Sequence, residues 1–186
     1  KGDPLLQYSR MKVAIVHELL TMRGGAENVA KIFADMFPDA PVFTLLYDEK
    51  KLGDMFPRER VRTSTLQSFA GLSTNHHLFL PFFRHAVEAW DFGPYDLVLS
   101  SSSAFAHGCR TRNKTKHLSY VHSPARYLWD RTHDVLGNSS PLKKIYGDML
   151  FPKLRAWDAD ASSRPHALLA ASAEVQRRIQ LYWRKP

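Results

Sequence analysis

Residues 12–37 read KVAIVHELLTMRGGAENVAKIFADMF, and the change of period inside this stretch decides the fold. Val13, Ile15 and Val16 are β-branched and the apolar run does not alternate, the pattern of a strand covered on both faces. After Gly24-Gly25 the spacing turns helical. Ala26, Val29, Ala30, Phe33, Met36 and Phe37 fall on one side, and Glu27, Asn28, Lys31 and Asp35 on the other. Strand, tight turn and helix follow, with the glycines at the helix N-terminus, where backbone N–H groups and the helix dipole favour an anion and no Cβ blocks its approach. A nucleotide diphosphate suits that corner. The turn is neither G-x-G-x-x-G nor G-x-x-x-x-G-K-[ST], so a ligand-free βα turn stands beside the anion-binding reading as an equal alternative.

Outward from this stretch, 186 residues suit one domain with a full hydrophobic core. Lys and Arg number 26 and Asp and Glu 18, a net charge of +8 that favours nucleotides, nucleic acid or an acidic membrane surface as partners. Cys109 is the sole cysteine, which excludes a disulfide framework and a thiolate metal cluster and agrees with a reducing compartment. No apolar run approaches the roughly 20 residues of a membrane span, and KGDPLLQYSR lacks the core of a signal peptide. A cytoplasmic protein is expected. Met11 precedes the first strand, so residues 1–10 are set apart as an N-terminal arm or an appended remnant, and 11–186 form the domain.

Further strands are expected at Val42–Tyr47, Val61–Leu66, Tyr95–Leu99, His117–Val121 and Ala167–Ala171. Between them, Phe79, Phe82, Phe83, Ala86, Val87 and Trp90 form a helical stripe, and Ser100 to Ser103 can cap a helix beginning near Ala104. Asp134–Ser140 reads as a loop, Pro141–Ala161 as a long helix that Pro152 should kink, and Ser172 as the cap of a last helix. This alternation predicts an α/β fold: a Rossmann-like, doubly wound parallel sheet with helices on both faces, and ligands in the crevice beyond the strands' carboxyl ends.

Three segments then stand out: His17-Glu18 with Gly24-Gly25-Ala26-Glu27; Ser102-x-Ala104-Phe105-Ala106-His107-Gly108; and Tyr120-Val121-His122-Ser123-Pro124-x-Arg126-Tyr127-x-Trp129-Asp130. Together they resemble glycosyltransferase family 4, and more closely the N-terminal half of bacterial mannosyltransferase-like members that build surface polysaccharide. Ala170-Ala171-Ser172 with Val175, Arg177, Arg178 and Ile179 is similar to the segment closing that family's first domain.

The resemblance implies one half of a GT-B fold, in which this acceptor-side domain faces a second domain holding most of the nucleotide sugar. It implies a retaining transfer from a nucleotide-diphospho sugar to a lipid-linked or saccharide acceptor, with no metal and no separate cofactor. It places His122 beside the transferred sugar as the catalytic candidate, and Gly24 and Gly25 against the donor diphosphate. His17, Glu18, Ser123, Arg126 and Tyr127 become candidate acceptor-binding residues. From position alone, His122 reads sooner as a polar residue satisfying the following turn, a balance the surrounding motif reverses; Arg126 could equally pair with Asp130 at i+4, and His17 and Glu18 could be solvated loop.

Other signals carry less. Asp158-Ala-Asp160 matches a D-x-D metal motif but falls in a helix, where i and i+2 do not share a face, and His76-His77 with His85 make no zinc set. A non-catalytic Rossmann-like binding domain is the competing function. A basic nucleic-acid module would need its Lys and Arg clustered, and here they are scattered. The charge, with Leu78 and Leu80 beside the stripe of a helix over 76–90, predicts peripheral binding to anionic membranes, unless the stripe is simply core.

Overall fold

The computed structural model describes residues 11–69, 79–112, 114–137 and 140–186. The N-terminal arm, His76-His77 and the start of the helix expected over 76–90 lie outside the described residues. Strand β1 (Val13–His17) leads through β2 (Leu19–Leu20) into helix α1 (Gly25–Met36). β3 (Val42–Thr44), β4 (Leu46–Tyr47), α2 (Glu49–Leu52) and β5 (Val61–Thr63) follow, then α3 (Leu80–Glu88) and β6 (Leu97–Ser102). β7 (Lys116–Val121), α4 (Arg126–Trp129), α5 (Thr132–Gly137), α6 (Pro141–Ala161), β8 (Ala167–Ala170) and α7 (Ala173–Trp183) complete the described elements.

Six strands form one parallel sheet in the order β5-β3-β1-β6-β7-β8. Counting only these, the order is 3-2-1-4-5-6, that of a doubly wound Rossmann-like sheet, and the direction of winding reverses between β1 and β6. β1 shows why its sequence lacks alternation. Val13 and Ile15 pack on one face with Ala30 and Ala34 of α1, whereas Ala14 and Val16 pack on the other with Phe83 and Val87 of α3 and Leu154 of α6. All five β1 residues are buried, since each face of the strand meets a helical layer. On the α3 side Phe43 meets Phe92 edge-on at 5.0 Å and Phe83 meets Phe105 at 5.5 Å. Such pairs add about 0.5–1.5 kcal/mol each beyond burial.

Several boundaries move. Val42–Tyr47 divides: β3 joins the sheet, and β4 pairs with β2 in a separate two-stranded ladder. Val61–Leu66 stops at Thr63, and Ser64 caps a 3-10 turn over Thr65–Ser68 through its hydroxyl. Three of the four serines expected to cap a helix, Ser100 to Ser102, are strand instead. β6 runs to Ser102 because Ser100, Ser101 and Ser102 are buried between β1 and β7, with their hydroxyls bonded to histidines. In place of a helix from Ala104 there is one 3-10 turn, Ala106–Gly108. A short helix, α5, covers the start of the expected loop as far as Gly137, residues 138–139 of that loop lie outside the described residues, and α6 runs unbroken through Pro152. β8 is a sheet edge rather than a buried strand, with Leu169 exposed. The stripe of α3 is mostly core: Phe83 and Val87 are buried, and Phe82 is exposed. Ser172 does cap α7, accepting from the Val175 amide at 3.2 Å.

On α1 the buried side is Glu27, Ala30 and Ala34, while Met36 is exposed. The helix is turned from the expected face, so Glu27 points inward.

Candidate functional site

β1 and β6 lie side by side in register, His17 opposite Ser101, and both end at the crevice where the winding reverses. His17 Nδ1 is 3.1 Å from the Ser101 carbonyl oxygen and 3.1 Å from its hydroxyl. The Ser101 hydroxyl in turn lies 2.8 Å from His122 Nε2. On the far side of His17, Nε2 stands 3.6 Å from Glu27 Oε1, a polar contact longer than a hydrogen bond. Glu27, His17, Ser101 and His122 thus form one chain of polar contacts across α1, β1, β6 and the end of β7.

His122 is half-buried, its backbone N–H is held by the Ser102 carbonyl at 2.8 Å, and its ring stands edge-on to Tyr120 at 5.1 Å. Burial holds its imidazole below the ordinary pKa; the Glu18 charge offsets part of this, His17 lowers it further and Glu27 again opposes. Burial works to raise the Glu27 carboxyl, but its contact with His17, its own amide and the charges of His17 and His122 outweigh that and hold it low.

Gly24 and Gly25 adjoin this chain because Glu27 is in the first turn of the helix they open. The two glycines differ. A Cβ on Gly24 would meet the Glu27 carboxylate at 2.7 Å, so one side of the anion corner is already taken by a carboxylate. A Cβ on Gly25 would meet nothing within 4 Å, and Gly25 is exposed. Neither has a left-handed φ, so the backbone does not require glycine at either position.

His17 and Glu18 are both buried, which corrects the solvated-loop alternative. One Glu18 oxygen accepts from three successive amides after β6: Ser103 at 2.6 Å, Ala104, and Phe105 at 3.1 Å. Three converging N–H groups hold an anion well, and here the anion is the chain's own carboxylate, tying β1 to the loop after β6. Arg126 takes its i+4 partner, Nε lying 3.4 Å from Asp130. Ser123 is half-buried with its hydroxyl 3.4 Å from Arg178. Tyr127 turns inward against Phe151 at 6.0 Å, and its hydroxyl is buried without a hydrogen-bond partner among the described residues. Burial, with the charges of Asp158 and Glu18, pushes its pKa well up. Of the expected residues, His17, Glu18, Gly24, Gly25 and His122 gather at the crevice; Ser123 and Arg126 lie on its rim and Tyr127 is part of the core.

Asp158 and Asp160 part company. Asp158 is buried and accepts from the indoles of Trp129 at 2.7 Å and Trp183 at 2.6 Å, whereas the Asp160 side chain is 78% exposed. Among the described residues no group of three or more His, Cys, Asp or Glu is placed to hold a metal ion. A cavity of about 160 Å³ lined by Glu88, Trp90, Arg110 and Arg112 lies before β6 and β7, at the amino ends of the strands and away from the histidines. Sequence reasoning missed Ser101, which it placed in a helix cap, and Glu27, which it placed on the solvent face. The one available signal was an acidic residue in the first turn beside a strand-end histidine.

Compared with protein-family models, curated proteins and solved structures, the chain finds no match in any of the three. The fold defines a class: a Rossmann-like, doubly wound α/β domain, with His17 and His122 at its switch-point crevice.

Proposed function

We propose that this chain is the acceptor-side domain of a retaining glycosyltransferase. It takes a sugar, mannose in the first instance, from a nucleotide-diphospho sugar to a lipid-linked or saccharide acceptor in surface polysaccharide synthesis, while a second domain holds most of the nucleotide. The observation that carries this reading is His122: half-buried at the switch-point crevice, with one ring nitrogen held by Ser101, and linked through Ser101, His17 and Glu27 to the helix N-terminus that Gly25 opens. In such a transfer the diphosphate leaves as positive charge builds on the anomeric carbon. A neutral imidazole that orients the sugar without adding charge, and helix amides that accept the departing anion, are the groups that chemistry needs. A lipid-linked acceptor would bring the enzyme to the inner face of the cytoplasmic membrane. Glu27 favours the second reading, a non-catalytic binding domain, because its carboxylate shares the corner a diphosphate would enter.

The test is a protein containing both domains, screened against a panel of nucleotide sugars. Turnover with one donor, and a loss of roughly 10²-fold or more in His122→Ala with an unchanged Tm and little change in donor affinity, is the expected result. No turnover with any donor leaves the binding domain; wild-type turnover in His122→Ala removes the catalytic role. The 186-residue chain alone is expected to bind nucleotides only in the millimolar range and to transfer no sugar.

A further inference from the structure

The contacts around Ser101 define more than proximity. His17 Nδ1 faces the Ser101 carbonyl oxygen, which can only accept, so Nδ1 carries a hydrogen and donates to the carbonyl and hydroxyl oxygens it meets at 3.1 Å. The Ser101 hydroxyl therefore receives from His17 and has its own hydrogen left to give. Among the described residues, its other partner is His122 Nε2 at 2.8 Å. Ser101 is fully buried, so solvent does not offer that hydrogen another acceptor.

We infer that Ser101 is the positioning residue of this site: it donates to His122 Nε2 and holds the imidazole as the neutral tautomer with hydrogen on Nδ1, so that His122 offers the crevice a donor aimed at a ligand oxygen. Direction runs from His17 through Ser101 to His122: the Nδ1 hydrogen of His17 goes to Ser101, and the Ser101 hydroxyl hydrogen goes to His122. Glu27 stands behind His17, its carboxylate 3.6 Å from Nε2 on the side of the ring away from Ser101. Glu18 and Glu27 are the carboxylates acting on His122, and His17 is the cation-forming group acting on it. The hydrogen bond from Ser101 favours the uncharged ring, in the same sense as its burial. Use of the Nδ1 hydrogen on a sugar rests on the function proposed above, but the tautomer belongs to this chain whether or not it transfers sugar.

Long-range 1H–15N spectra of the labelled 186-residue chain near pH 7.5, with His122 assigned through His122→Asn, read the tautomer directly. The expected result is a protonated-type shift at Nδ1 and an unprotonated-type shift at Nε2. Ser101→Ala should move His122 towards the Nε2–H form and raise its pKa, and Ser101→Thr, which keeps the hydroxyl, should restore both. His122 found as the Nε2–H tautomer in the wild type overturns the inference without any variant. A tautomer and pKa unchanged in Ser101→Ala overturn the role of Ser101, and Ser101→Cys, with a weaker donor of similar size, takes its place should Ser101→Ala not fold. Failure of sugar transfer leaves these spectra unaffected, so the two readings fail separately.

Discussion

His117 shows at the scale of one residue how this sheet treats its polar groups. Its side chain is fully buried on β7, with Nε2 2.8 Å from the Ser100 hydroxyl and its ring against the Cys109 sulfur. Burial, helped by neighbouring His107 and His166, lowers its pKa to about 3 from an ordinary 6.5. Between those values the unfolded chain binds a proton that the native chain refuses, so stability rises with pH there and is lost as pH falls below 6.5. Each unit costs the native state up to about 1.4 kcal/mol. Urea midpoints of the wild type should drop from pH 6.5 to 4 more steeply than those of His117→Gln; equal slopes would show that His117 is not buried neutral. Cys109, in the same pocket, has its thiol pushed far up by burial, which makes it a packing residue rather than a nucleophile.

At the scale of an element, two glycines separate architecture from ligand approach. Gly108 ends the 3-10 turn after β6, and a Cβ there would meet the Trp157 ring at 2.4 Å. That ring is pinned between Phe105, at 5.6 Å, and the Arg164 guanidinium, at 5.5 Å, and donates to Glu88 at 2.6 Å. It cannot move aside cheaply, so Gly108→Ala should cost about 1–3 kcal/mol. Gly25, the first residue of α1, has empty space where its Cβ would stand. Gly25→Ala should leave the Tm unchanged or raise stability by about 0.4–1 kcal/mol through the unfolded state. If the corner takes a diphosphate, the same change should weaken nucleotide-sugar binding in the two-domain protein by several-fold. Calorimetry beside binding isotherms checks this: a lower Tm, or an unchanged affinity, would make Gly25 an ordinary turn residue.

Over the whole molecule, charge and exposed apolar surface make one testable prediction about membrane contact. No helix among the described residues is long and apolar enough to cross a membrane. The aromatic stripe of α3 is largely spent on the core, but the first half of α6 exposes Leu142, Ile145, Tyr146 and Met149, spaced as one helical face. With a net charge of +8, that face should hold the protein loosely on acidic lipid. Flotation with vesicles containing phosphatidylserine should exceed that with neutral ones and weaken with salt, and Ile145→Ser with Met149→Ser should reduce it. Equal flotation on both, or none on either, would remove membrane contact from the proposal.

Local sequence was enough to read the fold class and most elements, because period and punctuation are local: the unbroken apolar run of β1, the Gly-Gly turn, the Ser172 cap and the long α6 pattern all correspond to structure. His122 at a strand end by the crevice was legible for the same reason. Pairing across the sheet was not, since His17 and Ser101 are 84 residues apart and only strand register makes them neighbours. Ser100 to Ser102 look like a helix cap in isolation and become strand because buried histidines on β1, on β7 and in the following turn satisfy their hydroxyls. Glu27 looks like a solvent-facing helix residue but turns inward, where its carboxylate stands 3.6 Å from the His17 ring. A buried polar group is stable only with its partner, and the partner's place is a property of the whole sheet.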